Sequence, residues 1–244
     1  MKKLEWMEFD SLEPHPDVLH ATFLRHGGVS QGPCASLNIG ANVGDHPDSV
    51  RENREIIRNA LNLEHLLFAN QVHGATIHCV TSKNLSIHPQ ADGLITDLKG
   101  VGLAIAHADC QAALFYDPKK HIIGIAHAGW KGSAQNIYAQ MVAALRDLHC
   151  DPKNLLVAIS PSLGPDHYEC KNYKTELPQD FWSFQVKPNY FNFWDISRKQ
   201  LTECGIPAKN IEIAEMCTFC NEKDFFSYRR DKNTGRNASV IALK

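Results

Sequence analysis

Between residues 46 and 64 (HPDSVRENREIIRNALNLE) the apolar positions Val50, Ile57, Ala60 and Leu61 fall on one face at helical spacing, with Asp48 near the start. The segment is predicted to be an amphipathic helix. Residues 75–81 (ATIHCVT) alternate instead, as a half-buried strand does, while 101–107 (VGLAIAH), 112–116 (AALFY) and 121–127 (HIIGIAH) are short apolar runs suited to strands buried on both faces. Helical spacing returns over 133–148 through Ile137, Met141, Leu145 and Leu148. Residues 155–159 (LLVAI), 211–214 (IEIA) and 238–243 (ASVIAL) read as further strands. Strands in succession, with helices interspersed irregularly, favour an α+β layered fold over a doubly wound parallel sheet. No repeat, low-complexity tract or Gly/Ser/Pro linker marks a boundary, so residues 1–244 are expected to form one domain.

Composition narrows the function. Hydrophobic residues make up 43% and charged residues 21%, enough apolar material for a sizeable core. The 25 Lys and Arg against 27 Asp and Glu leave a net charge of −2, which gives no global attraction to polyphosphate or anionic lipid. Glu5, Glu8 and Asp10 occupy the stretch where a secretory signal is apolar. The expectation is a cytoplasmic protein with no nucleic-acid or membrane partner. Eight cysteines are spread without a disulfide framework, and 13 histidines exceed ordinary usage, which directs attention to metal ligands.

The chemistry concentrates in HADCQAALFYDPKKHIIGIAHAGWKGSA, from His107 to Ala134. Asp117-Pro118-Lys119-Lys120 is a turn signal. A hairpin closed there with two central residues sets Cys110 directly opposite His127, with Cβ atoms about 4.5–5.5 Å apart, close enough to share one metal ion or one proton. The alternative is a small buried thiol beside a strand-end histidine. Beyond His127, Ala-Gly-Trp-Lys-Gly leads to Ser133, where a helix N-terminus would favour an anion such as phosphate beside the pair. The competing reading is a plain strand-to-helix connection capped by Ser133.

A third ligand is expected from another segment, and His26, His73, His78 and His107 all remain candidates on spacing alone. His73 precedes a strand, where loop side chains commonly project into a site. Cys217-Thr-Phe-Cys220 has metal or redox spacing, but a structural zinc site needs two more ligands and the sequence shows no second pair, so idle thiols are expected there. The arginines of Phe225-Phe226-Ser227-Tyr228-Arg229-Arg230, like Arg25 in Arg25-His26-Gly27-Gly28, fit either a site or a solvated turn.

The motifs R-x-GG-V-S-x-G-P at 25–33, SLN-I-G at 36–40, VGD at 43–45, QVHG at 71–74, ADG at 91–93, ADC at 108–110, HAGW-K-G at 127–132, PS-L-G at 161–164 and FFSYRR with TGR at 225–236 occur in order over nearly the whole chain. Together they resemble the YfiH-type family, labelled both laccase-like polyphenol oxidoreductase and purine nucleoside phosphorylase. The resemblance implies a single-domain α/β sandwich with mixed sheets, and a catalytic zinc held by His73, Cys110 and His127. It also implies phosphorolysis of adenosine, inosine and methylthioadenosine, with adenosine deamination alongside, and substrate contacts at Arg25, Lys131 and Arg229. Two departures from the family pattern bear on pocket lining. His107 and Gln111 flank ADC where Thr and Pro are usual, and His167-Tyr168-Glu169-Cys170 stands where many members have Cys-Tyr-Glu-Val.

Rival readings are a metal-free cysteine hydrolase, such as an amidase acting on cell-wall precursors, with Cys110 as nucleophile and His127 as base. Copper-dependent phenol oxidation is another, although the chain has none of the paired H-x-H motifs that multicopper oxidases use. A non-enzymatic binding module fits an open three-ligand site poorly.

Overall fold

The apolar runs become the central strands of two stacked sheets in the computed structural model, which describes residues 3–244. Strands in chain order are β1 (Trp6–Met7), β2 (Val18–Phe23), β3 (His65–Phe68), β4 (Ile77–Cys79), β5 (Gly93–Thr96), β6 (Val101–His107) and β7 (Gln111–Asp117). They continue with β8 (Ile122–Ala128), β9 (Leu156–Ile159), β10 (Gln185–Lys187), β11 (Tyr190–Phe191), β12 (Ile211–Ile213) and β13 (Asn237–Leu243). The helices are α1 (Pro47–Ala60), α2 (Trp130–Ala134), α3 (Ile137–Asp147), α4 (Tyr173–Glu176), α5 (Phe193–Glu203) and α6 (Tyr228–Asp231). One sheet has the order β1-β2-β13-β6-β3 and the other β12-β9-β7-β8-β5-β4; β10 and β11 form a separate ribbon. Both large sheets are mixed, because β3/β6, β12/β9 and β4/β5 run parallel while the other pairs are antiparallel.

Burial on both faces explains the continuous apolar runs. Leu103 and Ile105 of β6 and Ile241 of β13 pack between the sheets against Leu114 and Tyr116 of β7 and Ile123 and Ile125 of β8. On the outer face of the first sheet, Ala104 and Val240 meet Ile57 of α1. On the outer face of the second, Ala113, Phe115 and Ala126 meet Ile137, Tyr138, Met141 and Leu145 of α3. The result is a helix, sheet, sheet, helix sandwich, as the α+β expectation holds. Each large apolar side chain buried this way contributes roughly 1.5–3 kcal/mol.

The β7–β8 hairpin differs from its predicted register. Asp117 pairs with Ile122, so four residues rather than two form the loop. The Asp117 carboxylate accepts from the Lys119 and Lys120 amides (2.8 and 3.1 Å), and His121 takes a left-handed φ of 51° to close it. His127 consequently faces Ala112, and Cys110 lies just beyond the start of β7. The displacement is an even number of residues, so Cys110 keeps to the same side of the ladder as His127. The predicted 133–148 helix is also divided. Asn136, at φ 53°, separates α2 from α3 and caps the latter by accepting from Ala139 N. Ser133 lies inside α2 rather than capping it, and the cap position is Gly129.

Candidate metal centre

Three segments bring His73, Cys110 and His127 together. One ligand atom from each lies within 4.8 Å of the others, and the two imidazoles meet edge to face with centroids 4.9 Å apart. His127 is fixed within β8. His73 sits in the loop after β3 with a φ of 60°, and that loop is pinned at its start because Gln71 exchanges two 2.9 Å hydrogen bonds with the Ala106 backbone of β6. Cys110 follows Asp109, whose φ is 91°.

The residue that organises the centre is one that ligand spacing did not single out. Asp92, fully buried at the start of β5, accepts backbone N–H bonds from Val72 (3.2 Å), His73 (3.0 Å) and Gly74 (2.7 Å) and the Nδ1–H of His127 (2.9 Å). A carboxylate on Nδ1 leaves Nε2 of His127 for a metal, the usual arrangement around histidine ligands. The signal was present in the ADG motif, as an acid between small residues at a strand start. Asp109 does similar work behind Cys110, accepting from the Thr218 and Ser227 hydroxyls (both 2.7 Å) and from the Arg229 amide (2.6 Å).

Electrostatics favour an ion pair between the metal-free thiol and imidazole. Burial pushes the Cys110 thiol up, but the charge of His127 and hydrogen bonds from His127 and His73 outweigh it and hold it near 6. Burial pushes His127 down, but the Cys110 charge and the Asp92 carboxylate raise it to about 9. His107, one of the open candidates for third ligand, is held near 3 by burial and by the charges of His127 and Arg236. It is therefore neutral; its Nε2 meets Ser239 Oγ at 2.9 Å, and it forms part of the cavity wall.

The centre opens into a cavity of about 690 Å³, within the range of small-molecule sites. Its cations are Arg54 and Arg236, each with its guanidinium near a lining ring, Phe68 at 4.2 Å and Tyr228 at 5.7 Å respectively. Arg54 also donates to Ile39 O (3.0 and 2.8 Å) and Arg236 Nη1 to Thr234 O and Gly235 O (2.9 and 3.0 Å), so what sets this pair apart from the other arginines is their place in the lining. The lining includes none of the three basic residues expected to touch substrate. Arg229 spends its guanidinium on the His167 and Glu169 carbonyls (3.2 and 3.0 Å), and Arg25 on the Ala35 and Glu222 carbonyls. Lys131 is exposed on α2. The anion site expected over 129–133 would lie at the start of the five-residue α2, and none of those residues lines this cavity. His26 contacts Asp224 (3.2 Å) and His78 contacts Asn84 (3.2 Å), both away from the centre. Cys217 and Cys220 stand apart too, but not without a partner, since His167 joins them.

Comparison with known proteins identifies the family and the fold. A family model described as multi-copper polyphenol oxidoreductase laccase matches residues 19–244. Purine nucleoside phosphorylase YlmD of Geobacillus stearothermophilus is 37% identical, with 90% of this chain and 88% of that protein covered. Purine nucleoside phosphorylase YfiH of Escherichia coli is 33% identical, covering 94% of this chain and 96% of that one. Among solved structures, the hypothetical protein YfiH of Bacillus licheniformis superposes with a TM-score of 0.87 at 34% identity, covering 93% of both chains. The chain belongs to this laccase-like family, the one that holds the YfiH and YlmD proteins.

Proposed function

We propose that this protein is a zinc-dependent purine nucleoside phosphorylase acting on adenosine, inosine and methylthioadenosine, with adenosine deamination as a second activity of the same centre. The observation that carries the proposal is a His₂Cys donor set lining a cavity together with two arginines and two aromatic rings. The relatives named purine nucleoside phosphorylase support the reaction class.

Two imidazoles and one thiolate form a borderline-soft set that suits zinc, and three protein ligands leave one tetrahedral position open, as catalytic sites do. Zinc held by His73, Cys110 and His127 would supply Lewis acidity toward a substrate oxygen. Asp92 orients His127 and the His73 loop for that purpose. Arg54 and Arg236 offer positive charge to phosphate, while Phe68 and Tyr228 offer apolar faces to a purine. Copper-dependent phenol oxidation has weaker support, because neither three-donor cluster among the described residues contains more than two histidines. Among the described residues no helix is long and apolar enough to cross a membrane. A small-molecule substrate in a reducing, cytoplasmic setting accords with eight free thiols.

The test is metal analysis of protein purified without added metal, together with a nucleoside screen with and without phosphate. Ribose 1-phosphate formed only when phosphate is supplied supports phosphorolysis. Base release at the same rate without phosphate identifies a hydrolase instead.

The Cys110–His127 ion pair favours one rival, a metal-free cysteine hydrolase or amidase. Chelation separates the two. Under the zinc reading, stripping metal exposes Cys110 to alkylation and abolishes turnover until zinc is restored. Rapid alkylation with turnover unchanged after complete chelation would establish the thiol mechanism.

A further inference from the structure

His167, Cys217 and Cys220 form a second cluster with one ligand atom from each within 4.8 Å of the others. We propose that these three residues bind a second thiophilic divalent cation, zinc by donor chemistry, which ties two turns together behind the first centre. The proposal stands independently of the nucleoside reaction.

The spacing is the first support. His167 Nδ1 lies 3.7 Å from Cys217 Sγ and 3.6 Å from Cys220 Sγ. With zinc–sulfur and zinc–nitrogen bonds of ordinary length, a tetrahedral site has nitrogen-to-sulfur edges of about 3.5 Å. The imidazole and both sulfurs already stand near the corners such an ion requires.

The second support is preorganisation, because each donor is held by groups that act on its position. The His167 ring stacks on Phe219, with centroids 4.0 Å apart and 18° between planes, and Phe219 lies inside the Cys-x-x-Cys turn itself. The His167 backbone is anchored on both sides, its N–H donating to Gly164 O (3.0 Å) and its carbonyl accepting from Arg229 Nη1 (3.2 Å). Cys217 Sγ accepts a hydrogen bond from Gly164 N–H at 3.2 Å, the kind of contact that stabilises a bound thiolate. Glycine permits that approach, since a Cβ at residue 164 would stand 3.0 Å from Cys217 Cβ and 3.2 Å from its sulfur. The Cys-x-x-Cys turn is closed by Asn221 N–H donating to Cys217 O (3.0 Å) and is docked on the 161–164 turn through Thr218 N–H to Ser162 O (3.0 Å). Cys220 is exposed, so an ion reaches the cluster from solvent.

The location gives the ion a consequence. Thr218, between the two cysteines, donates to Asp109, and Arg229, which holds the His167 carbonyl, donates its amide to the same carboxylate. Asp109 immediately precedes Cys110. A cation joining His167 to Cys217 and Cys220 therefore braces the support of the Cys110 turn, acting through position rather than through contact with substrate.

The experiment is zinc analysis of the full chain purified under reducing conditions, as wild type and as Cys217→Ser, Cys220→Ser, His167→Ala and His167→Cys. The expected result is two zinc ions in the wild type. One is lost on Cys217→Ser, Cys220→Ser or His167→Ala and kept on His167→Cys, which replaces one ligand by another. Cobalt added to metal-stripped Cys110→Ser gives a second readout. With Cys110 replaced, the second cluster is the three-donor group with thiols that remains among the described residues, so thiolate charge-transfer absorption should arise there and vanish when Cys217→Ser is added. Retention of the His167→Cys ion separates ligand loss from misfolding. Zinc content unchanged by all the second-cluster substitutions, or a Cys217–Cys220 disulfide in place of a metal under reducing purification, would overturn the proposal.

Discussion

The Asp92 carboxylate accepts the Nδ1–H of His127 at 2.9 Å and, through the same two oxygens, the amides of Val72, His73 and Gly74. One buried acid thereby sets the ring of one proposed ligand and the backbone of another. Burial would raise the Asp92 carboxyl, but the hydrogen bonds from His127 and the loop amides, with the His127 charge, bring it below the ordinary carboxylate value. It is therefore ionised whenever the centre functions at neutral pH.

Asp92→Asn keeps the shape but replaces a charged acceptor by an amide whose NH₂ group cannot accept from His127 or the loop. Zinc affinity is expected to fall about 10–100-fold, the usual cost of losing such a partner, with the far-UV spectrum unchanged. Competition against a chelator of known affinity measures it. An unchanged affinity would show that the Asp92 contacts are structural only.

The metal-free protein should carry a pH signature of the Cys110–His127 pair. Cys110 is lowered from 9.0 to about 6, so its stabilising contribution is complete above 9.0 and disappears as pH falls through about 6. His127 is raised from 6.5 to about 9, so its contribution is complete below 6.5 and disappears as pH rises through about 9. Both describe one ion pair, present between about 6 and about 9. Chelated protein should show its greatest excess stability over Cys110→Ser inside that window, with alkylation of Cys110 rising through a midpoint near the lower edge. A midpoint at the ordinary thiol value would refute the pairing.

The strands that form the middle of the sandwich were legible because both faces are buried, so β6, β7, β8 and β13 read as unbroken apolar runs. α5 was not. Its inward face places Ser197 and Gln200 among Phe193, Ile196 and Leu201, with the Ser197 hydroxyl donating to Gln111 Oε1 and Gln200 Nε2 donating to Ser133 O, contacts that exist only after folding. The same limit governed the sites. Cys110 and His127 were paired from a hairpin whose turn was two residues longer than assumed, and the pairing survived because the error preserved strand parity. His167 stands 50 residues before Cys217, so no local spacing joined it to the 217–220 pair.

Substrate charge should be met at the cavity wall rather than on α2. Arg236, which lines the cavity and is close enough to feel the Cys110 charge, is expected to raise the KM for phosphate about tenfold or more when changed to Met, consistent with loss of one charge-assisted hydrogen bond. Lys131→Ala, exposed and outside the lining, should change it little. Steady-state kinetics with varied phosphate decides this, and the opposite ranking would return the phosphate site to the 129–133 turn.

At Gly129 the backbone passes close to the centre. A Cβ at that position would stand 2.9 Å from Cys110 Sγ and 3.6 Å from Cδ2 of His73, the first distance shorter than a carbon and a sulfur tolerate. The obstructing atom is a proposed metal ligand, so relief by rotating Cys110 away removes the thiolate from its two imidazoles. Relief by moving residue 129 instead disturbs the end of β8 two residues after His127. Gly129 itself has a φ of −87°, which any residue adopts, so Gly129→Ala carries no backbone strain, and apart from a poorer cap for the short α2 its effect is this contact. The variant should fold, lose zinc affinity about tenfold or more, and lose turnover in the same proportion at limiting metal. Gly44→Ala, at a φ of 82° where alanine is strained but where no atom crowds a Cβ, is the converse control, expected to lower stability while leaving metal content intact. Chelator competition on both proteins reads the result, and full zinc affinity in Gly129→Ala would mean that Cys110 is not held where the centre requires it.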